Sequence, residues 1–140
     1  MKICAVELKN NEANFCLLSN EGGLFEILPC RAQKFILTQP EQTQSIVDFQ
    51  KTFAKLMLDY KVENVVIRSR ELKGKFSGSG ISFKLETAIQ LIDSLSVELY
   101  TTNQIKEKLK YNPLSIDFRS TELRNFQEEA FITGYAYLSR

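Results

Sequence analysis

After about residue 42 the apolar residues of this chain change from strand-like runs to three- and four-residue steps, and the alternation of the two patterns restricts the fold most. Residues 2–7 and 13–19 read as strands joined by a polar turn through Asn10, Asn11 and Glu12. A second turn at Glu21-Gly22-Gly23 leads to strand-like sequence from Leu24 to Leu28 and from Lys34 to Thr38, with Pro29 marking a bend between the pieces. Ile46, Val47, Phe49, Phe53, Leu56, Met57 and Tyr60 then recur at helical spacing and predict an amphipathic helix over 43–60. Val65-Val66-Ile67 is a continuous apolar run of the kind buried on both faces of a sheet. A glycine- and serine-rich loop, Gly74 to Gly80, opens into a helix carrying Ile81, Leu85, Ala88, Ile89 and Ile92. Val97 to Tyr100 forms a further strand, followed by a short helix from Asn103 to Lys110 that ends at Asn112-Pro113. A last helix over roughly 120–138 places Leu123, Phe126, Ala130, Gly134 and Tyr137 on one face.

The order is therefore β-β-β-α-β-α-β-α-α, an α/β fold with a mixed five-stranded sheet and flanking helices. Right-handed crossovers set those helices against the sheet around strands one, four and five. At 140 residues, with 44% hydrophobic and 25% charged residues, the chain is long enough for a full core. No linker or repeat divides it, so residues 1–140 are expected to form one domain.

Several function classes are excluded at this point. With no histidine, imidazole cannot act as base, proton shuttle or metal ligand. Ser-His hydrolases, Cys-His proteases and histidine-ligated zinc sites are ruled out. The formal net charge of +1 gives no global field toward nucleic acid or anionic lipid, so a polyanion site must be a local patch. No apolar run approaches the roughly 20 residues of a membrane helix, and the first residues lack the pattern of a signal peptide. Three cysteines, Cys4, Cys16 and Cys30, are odd in number and show no CxxC spacing. A cytoplasmic setting with reduced thiols and no membrane partner is expected; a homo-oligomer is left open.

The order of elements resembles the ribonuclease-H-like fold, in which acidic residues from strand one, strand four and the last helix converge on divalent metal. More narrowly, the chain resembles a bacterial family known as domain of unknown function 3010. The resemblance is carried by Cys4-Ala5-Val6-Glu7-Leu8-Lys9, Phe53-Ala54-Lys55-Leu56-Met57, Val65-Val66-Ile67-Arg68, Lys73-Gly74-Lys75-Phe76 and Phe126-Gln127-Glu128-Glu129-Ala130-Phe131. It is also loosely similar to RuvC-type Holliday-junction resolvases. That likeness matches Glu7 to their first-strand metal ligand and Glu129 to one of two acidic residues on their last helix. The other last-helix position falls near Phe126, and their fourth-strand acid falls at Arg68.

Under the resemblance, Glu7 and Glu129 become ligands for Mg²⁺ or Mn²⁺, hard cations that prefer oxygen donors. Glu71 is a third acidic candidate, displaced into the loop. Each carboxylate has a plainer alternative: Glu7 at the sheet rim meeting water or a lysine, and Glu129 on solvated helix surface. Helical angles place Glu129 at the border of the apolar stripe and Glu128 nearly opposite it. The loop from Arg68 to Gly80 concentrates Arg68, Arg70, Lys73 and Lys75 with three glycines ahead of a helix start. Such a loop suits phosphate or a nucleic-acid backbone; the alternative is a solvated connection whose glycines serve only turn geometry. Gly74-Lys75 is followed by Phe76, so it is no Walker motif. Two functions follow as expectations. One is a metal-dependent nuclease on structured nucleic acid, with Glu7, Glu71 and Glu129 as catalytic groups and Arg68, Arg70, Lys73 and Lys75 on the substrate. The other is a catalytically degenerate domain that binds nucleic acid or protein.

Overall fold

A computed structural model describes residues 1–70 and 79–139. Strands β1 (Lys2–Lys9), β2 (Glu12–Glu21), β3 (Leu24–Leu28) and β4 (Lys34–Ile36) precede helix α1 (Thr43–Asp59). Then come β5 (Asn64–Arg68), α2 (Gly80–Gln90), β6 (Ser96–Tyr100), α3 (Thr102–Tyr111) and α4 (Glu128–Leu138). The sheet runs in the order β3-β2-β1-β5-β6, with β4 also paired to β2. β1 and β2 are antiparallel, whereas β5 runs parallel to both β1 and β6. This is a mixed sheet flanked by helices, and none of the described helices is long and apolar enough to cross a membrane.

The β1–β2 turn works because Asn10 accepts a left-handed φ of 54°, a conformation asparagine tolerates better than most residues. β1 is central, and Ile3 through Leu8 are all buried. Its alternate residues feed two cores. Cys4, Val6 and Leu8 pack with Phe15, Leu17, Phe53, Met57 and Leu85 under α1 and α2. Ile3 and Ala5 pack with Cys16, Leu18, Val66, Phe131 and Ala136 under α3 and α4.

The third antiparallel strand comes in two pieces, which makes six strands where five are expected. β3 pairs with residues 17–21 of β2 and β4 with residues 12–14. The chain leaves the edge at Pro29, which has no N–H for a ladder. Opposite the gap, the Phe15 N–H donates to the Gln33 carbonyl at 3.0 Å. The Phe15 carbonyl accepts instead from the Gln127 side-chain amide at 2.8 Å.

The last helix is also shorter than its periodicity predicts. Residues 118–120 and 125–127 form single 3₁₀ turns, and α4 begins only at Glu128. The buried Gln127 side chain accounts for this. Its oxygen accepts the Arg124 N–H at 2.7 Å, so the chain turns tightly there before helical pairing starts. α4 then lies very close to the sheet at Gly134, where an added Cβ would stand 2.7 Å from the Ala5 Cβ.

Candidate functional site

In open α/β sheets, ligands bind beyond the carboxyl ends of the strands where connections diverge. Here that place is the end of β1 and β5, since β1 leads to β2 on one side and pairs with β5 on the other. Glu7 lies on β1, on the face of Ile3 and Ala5, and is 8% exposed. The parallel register ends at Val6↔Ile67, so Arg68, the last residue of β5, stands beside Glu7. Across the antiparallel pair Glu7 faces Asn14, whose side chain favours the charged form of the Glu7 carboxyl. α4 delivers Glu129 from its first turn, and Arg70 follows one residue beyond Ser69, whose N–H is tied to the Tyr100 carbonyl at 2.9 Å.

These side chains form two ion pairs. Arg68 Nη1 donates to Glu129 Oε2. Arg70 Nη2 lies 3.9 Å from Glu7 Oε2, and Arg70 Nε donates to the Leu8 carbonyl at 3.1 Å. Burial pushes the Glu7 carboxyl above the usual carboxylate range. Arg70 opposes that shift most strongly, Glu129 adds to it, and the neighbouring Asn14 side chain and Arg68 pull it down.

Glu7, Arg68, Arg70 and Glu129 are thus brought together, with Glu128 exposed as its helical angle implies. Glu71, Lys73, Lys75 and the glycines at 74 and 78 lie outside the described residues. Sequence reasoning missed two polar residues. Asn14 has a readable signal, since strand alternation sets it on the same face as Cys16 and Leu18. Gln127 has none, because its role depends on a gap in a strand far away in sequence.

Among the described residues, Glu7 and Glu129 do not by themselves make a site for the divalent cation that the sequence resemblance implies. Each of those carboxylates already faces a guanidinium. Arg68 brings positive charge to the position where the pattern calls for an acid. Among the described residues no three His, Cys, Asp or Glu side chains are grouped to hold a metal ion. Asn14 Oδ1, a neutral oxygen beside these paired carboxylates, is buried and has no hydrogen-bond partner. What the site offers is two guanidinium groups at the mouth of the sheet, suited to the oxygens of a phosphate.

Solved structures share this fold. RuvC of Thermus thermophilus superposes with a TM-score of 0.74 at 10% identity, covering 97% of this chain and 92% of that one. T. thermophilus RuvC in complex with a Holliday junction substrate gives a TM-score of 0.71 at 9% identity, covering 97% and 91%. The fowlpox virus Holliday junction resolvase gives 0.55 at 12% identity, covering 99% and 98%. No curated protein matches the sequence. A family model described as "Protein of unknown function (DUF3010)" matches residues 1–137.

Proposed function

The chain belongs to the DUF3010 family, and we propose that it is a ribonuclease-H-like domain that binds the phosphate backbone of structured nucleic acid without metal-dependent cleavage. One observation carries this reading. The guanidinium of Arg68, at the end of β5, is paired with Glu129 where a cation-binding acid would be needed. Arg68 and Arg70 then serve as backbone contacts, and Lys73 and Lys75, which follow in sequence, are further candidates. Branched DNA is the first probe to try, because T. thermophilus RuvC and the fowlpox resolvase are described with Holliday junctions.

A second reading, a phosphodiesterase with Glu7 and Glu129 on Mg²⁺ or Mn²⁺ and Glu71 as a third donor, draws support from the uncommitted Asn14 Oδ1 beside Glu7. One pair of assays separates the two. Four-way junction and duplex DNA are titrated in EDTA, and cleavage is followed in millimolar Mg²⁺ and Mn²⁺. The proposal expects salt-sensitive binding with no turnover. Arg68→Ala should weaken it by about tenfold, or ~1.4 kcal/mol, and reduce the salt slope by about one. Metal-dependent cleavage that Glu7→Ala abolishes would overturn it.

A further inference from the structure

The two guanidinium groups of the site are not free to meet a ligand as they stand, and the two carboxylates that hold them differ in how easily they let go. Glu7 is 10% exposed at its side chain, lies opposite Asn14 on β2 and faces Arg70. Glu129 is 46% exposed, stands in the first turn of α4, and holds Arg68, whose own side chain is only 18% exposed. A phosphate reaching Arg68 must therefore displace the Glu129 carboxylate, and Glu129 can swing into water when displaced. On the premise of the phosphate-binding reading above, we infer that Glu129 is a specificity-determining residue, an internal competitor that closes Arg68 to isolated phosphate and opens it to a polyanionic backbone.

The physical basis is competition within one molecule. A carboxylate tethered beside its partner acts at an effective concentration of about millimolar or more. A lone phosphate below that concentration gains one contact and loses to it. A nucleic-acid backbone gains further contacts at Arg70 and releases condensed counterions at each, so it can displace Glu129 where the single anion cannot. The charges facing Glu129 in the cluster are Arg68 on β5 and Glu7 on β1. α2, which packs on the other side of the sheet, presents Leu85, Ala88 and Ile89 and contributes no charge to the cluster.

The test compares wild type with Glu129→Gln, Glu128→Gln and the double variant Arg68→Ala/Glu129→Gln. The probes are duplex DNA and inorganic phosphate, and urea melts confirm that each variant is folded. Glu129→Gln should bind DNA about three- to tenfold more tightly, with a salt slope steeper by about one. It should also gain a measurable affinity for inorganic phosphate that wild type lacks. Glu128→Gln removes the same charge from the exposed side of the same turn and should give neither gain. In the double variant both gains should vanish. Equal or weaker DNA binding by Glu129→Gln, or an equal gain from Glu128→Gln, overturns the inference. DNA binding that Arg68→Ala leaves intact overturns the phosphate-binding reading beneath it.

Discussion

Replacing Gly134 with alanine tests how α4 is held over the sheet. The new methyl would lie 2.7 Å from the Ala5 Cβ and also press on the Leu18 side chain. Carbon atoms settle at about 3.5–4.0 Å. Leu18 can rotate aside, but the Ala5 methyl is fixed to the central strand, so α4 must lift by about 1 Å. Overpacking of this kind costs about 1–3 kcal/mol, and the immovable neighbour argues for the upper end. Alanine recovers roughly 1 kcal/mol over glycine in helix propensity. The net expectation is a loss of about 2 kcal/mol. For a chain of this size that is a Tm lower by about 7 °C. Urea unfolding followed by far-UV circular dichroism gives the number. Introducing Ala5→Gly alongside should recover part of it, with a coupling of at least ~0.5 kcal/mol. A Gly134→Ala protein as stable as wild type, or additive effects in the pair, would show that contact between residue 134 and Ala5 does not limit how closely α4 packs.

Two further outcomes follow from the same geometry. Gln127→Leu keeps the volume but strips the Phe15 carbonyl of its donor, and should lower stability by about 1–3 kcal/mol; an unchanged urea midpoint would remove Gln127 from its assigned role. Glu7 has a folded pKa raised above its ordinary value of 4.5, first by burial. Its contribution to stability is therefore fully present below about that value and is lost as pH rises through the raised one. Glu7→Gln does not titrate, so its stability relative to wild type should improve as pH goes from 4 to 7. Paired urea melts read this directly, and a difference that is flat with pH, or that moves the other way, contradicts it.

Much of the element order is legible from hydrophobic period because the two cores are segregated by strand alternation. Ile3 and Ala5 face one helix pair while Cys4, Val6 and Leu8 face the other, so β1 reads as a strand buried on both sides. Periodicity fails where side chains replace backbone partners. Leu123, Phe126 and Ala130 keep helical spacing, yet only Ala130 lies in α4. Leu123 packs from an irregular segment, and the Phe126 ring lies 4.1 Å beneath the Lys34 ammonium. The site is legible in part for the same reason. Glu7 and Glu129 follow from strand and helix angle, and Arg68 from the length of the apolar run before it. That the guanidinium groups are paired with those carboxylates depends on the β1–β5 register and on where α4 starts, neither of which is written in local pattern.

The amide of Gln127 reaches back 112 residues to the Phe15 carbonyl, and the Arg68–Glu129 pair spans 61. Contacts this distant along the chain are late events in folding, because the loops they close are long. β1, β2 and β5 can pair with one another before α4 docks. Until then Ile3, Ala5, Leu18 and Val66 lack the α4 part of their apolar cover, and Arg68 has no carboxylate from the last helix to hold it. The same closing segment that hides the greasy side of the sheet also sets the charge balance at its mouth, so the protein passes from sticky and open to covered and discriminating in one step.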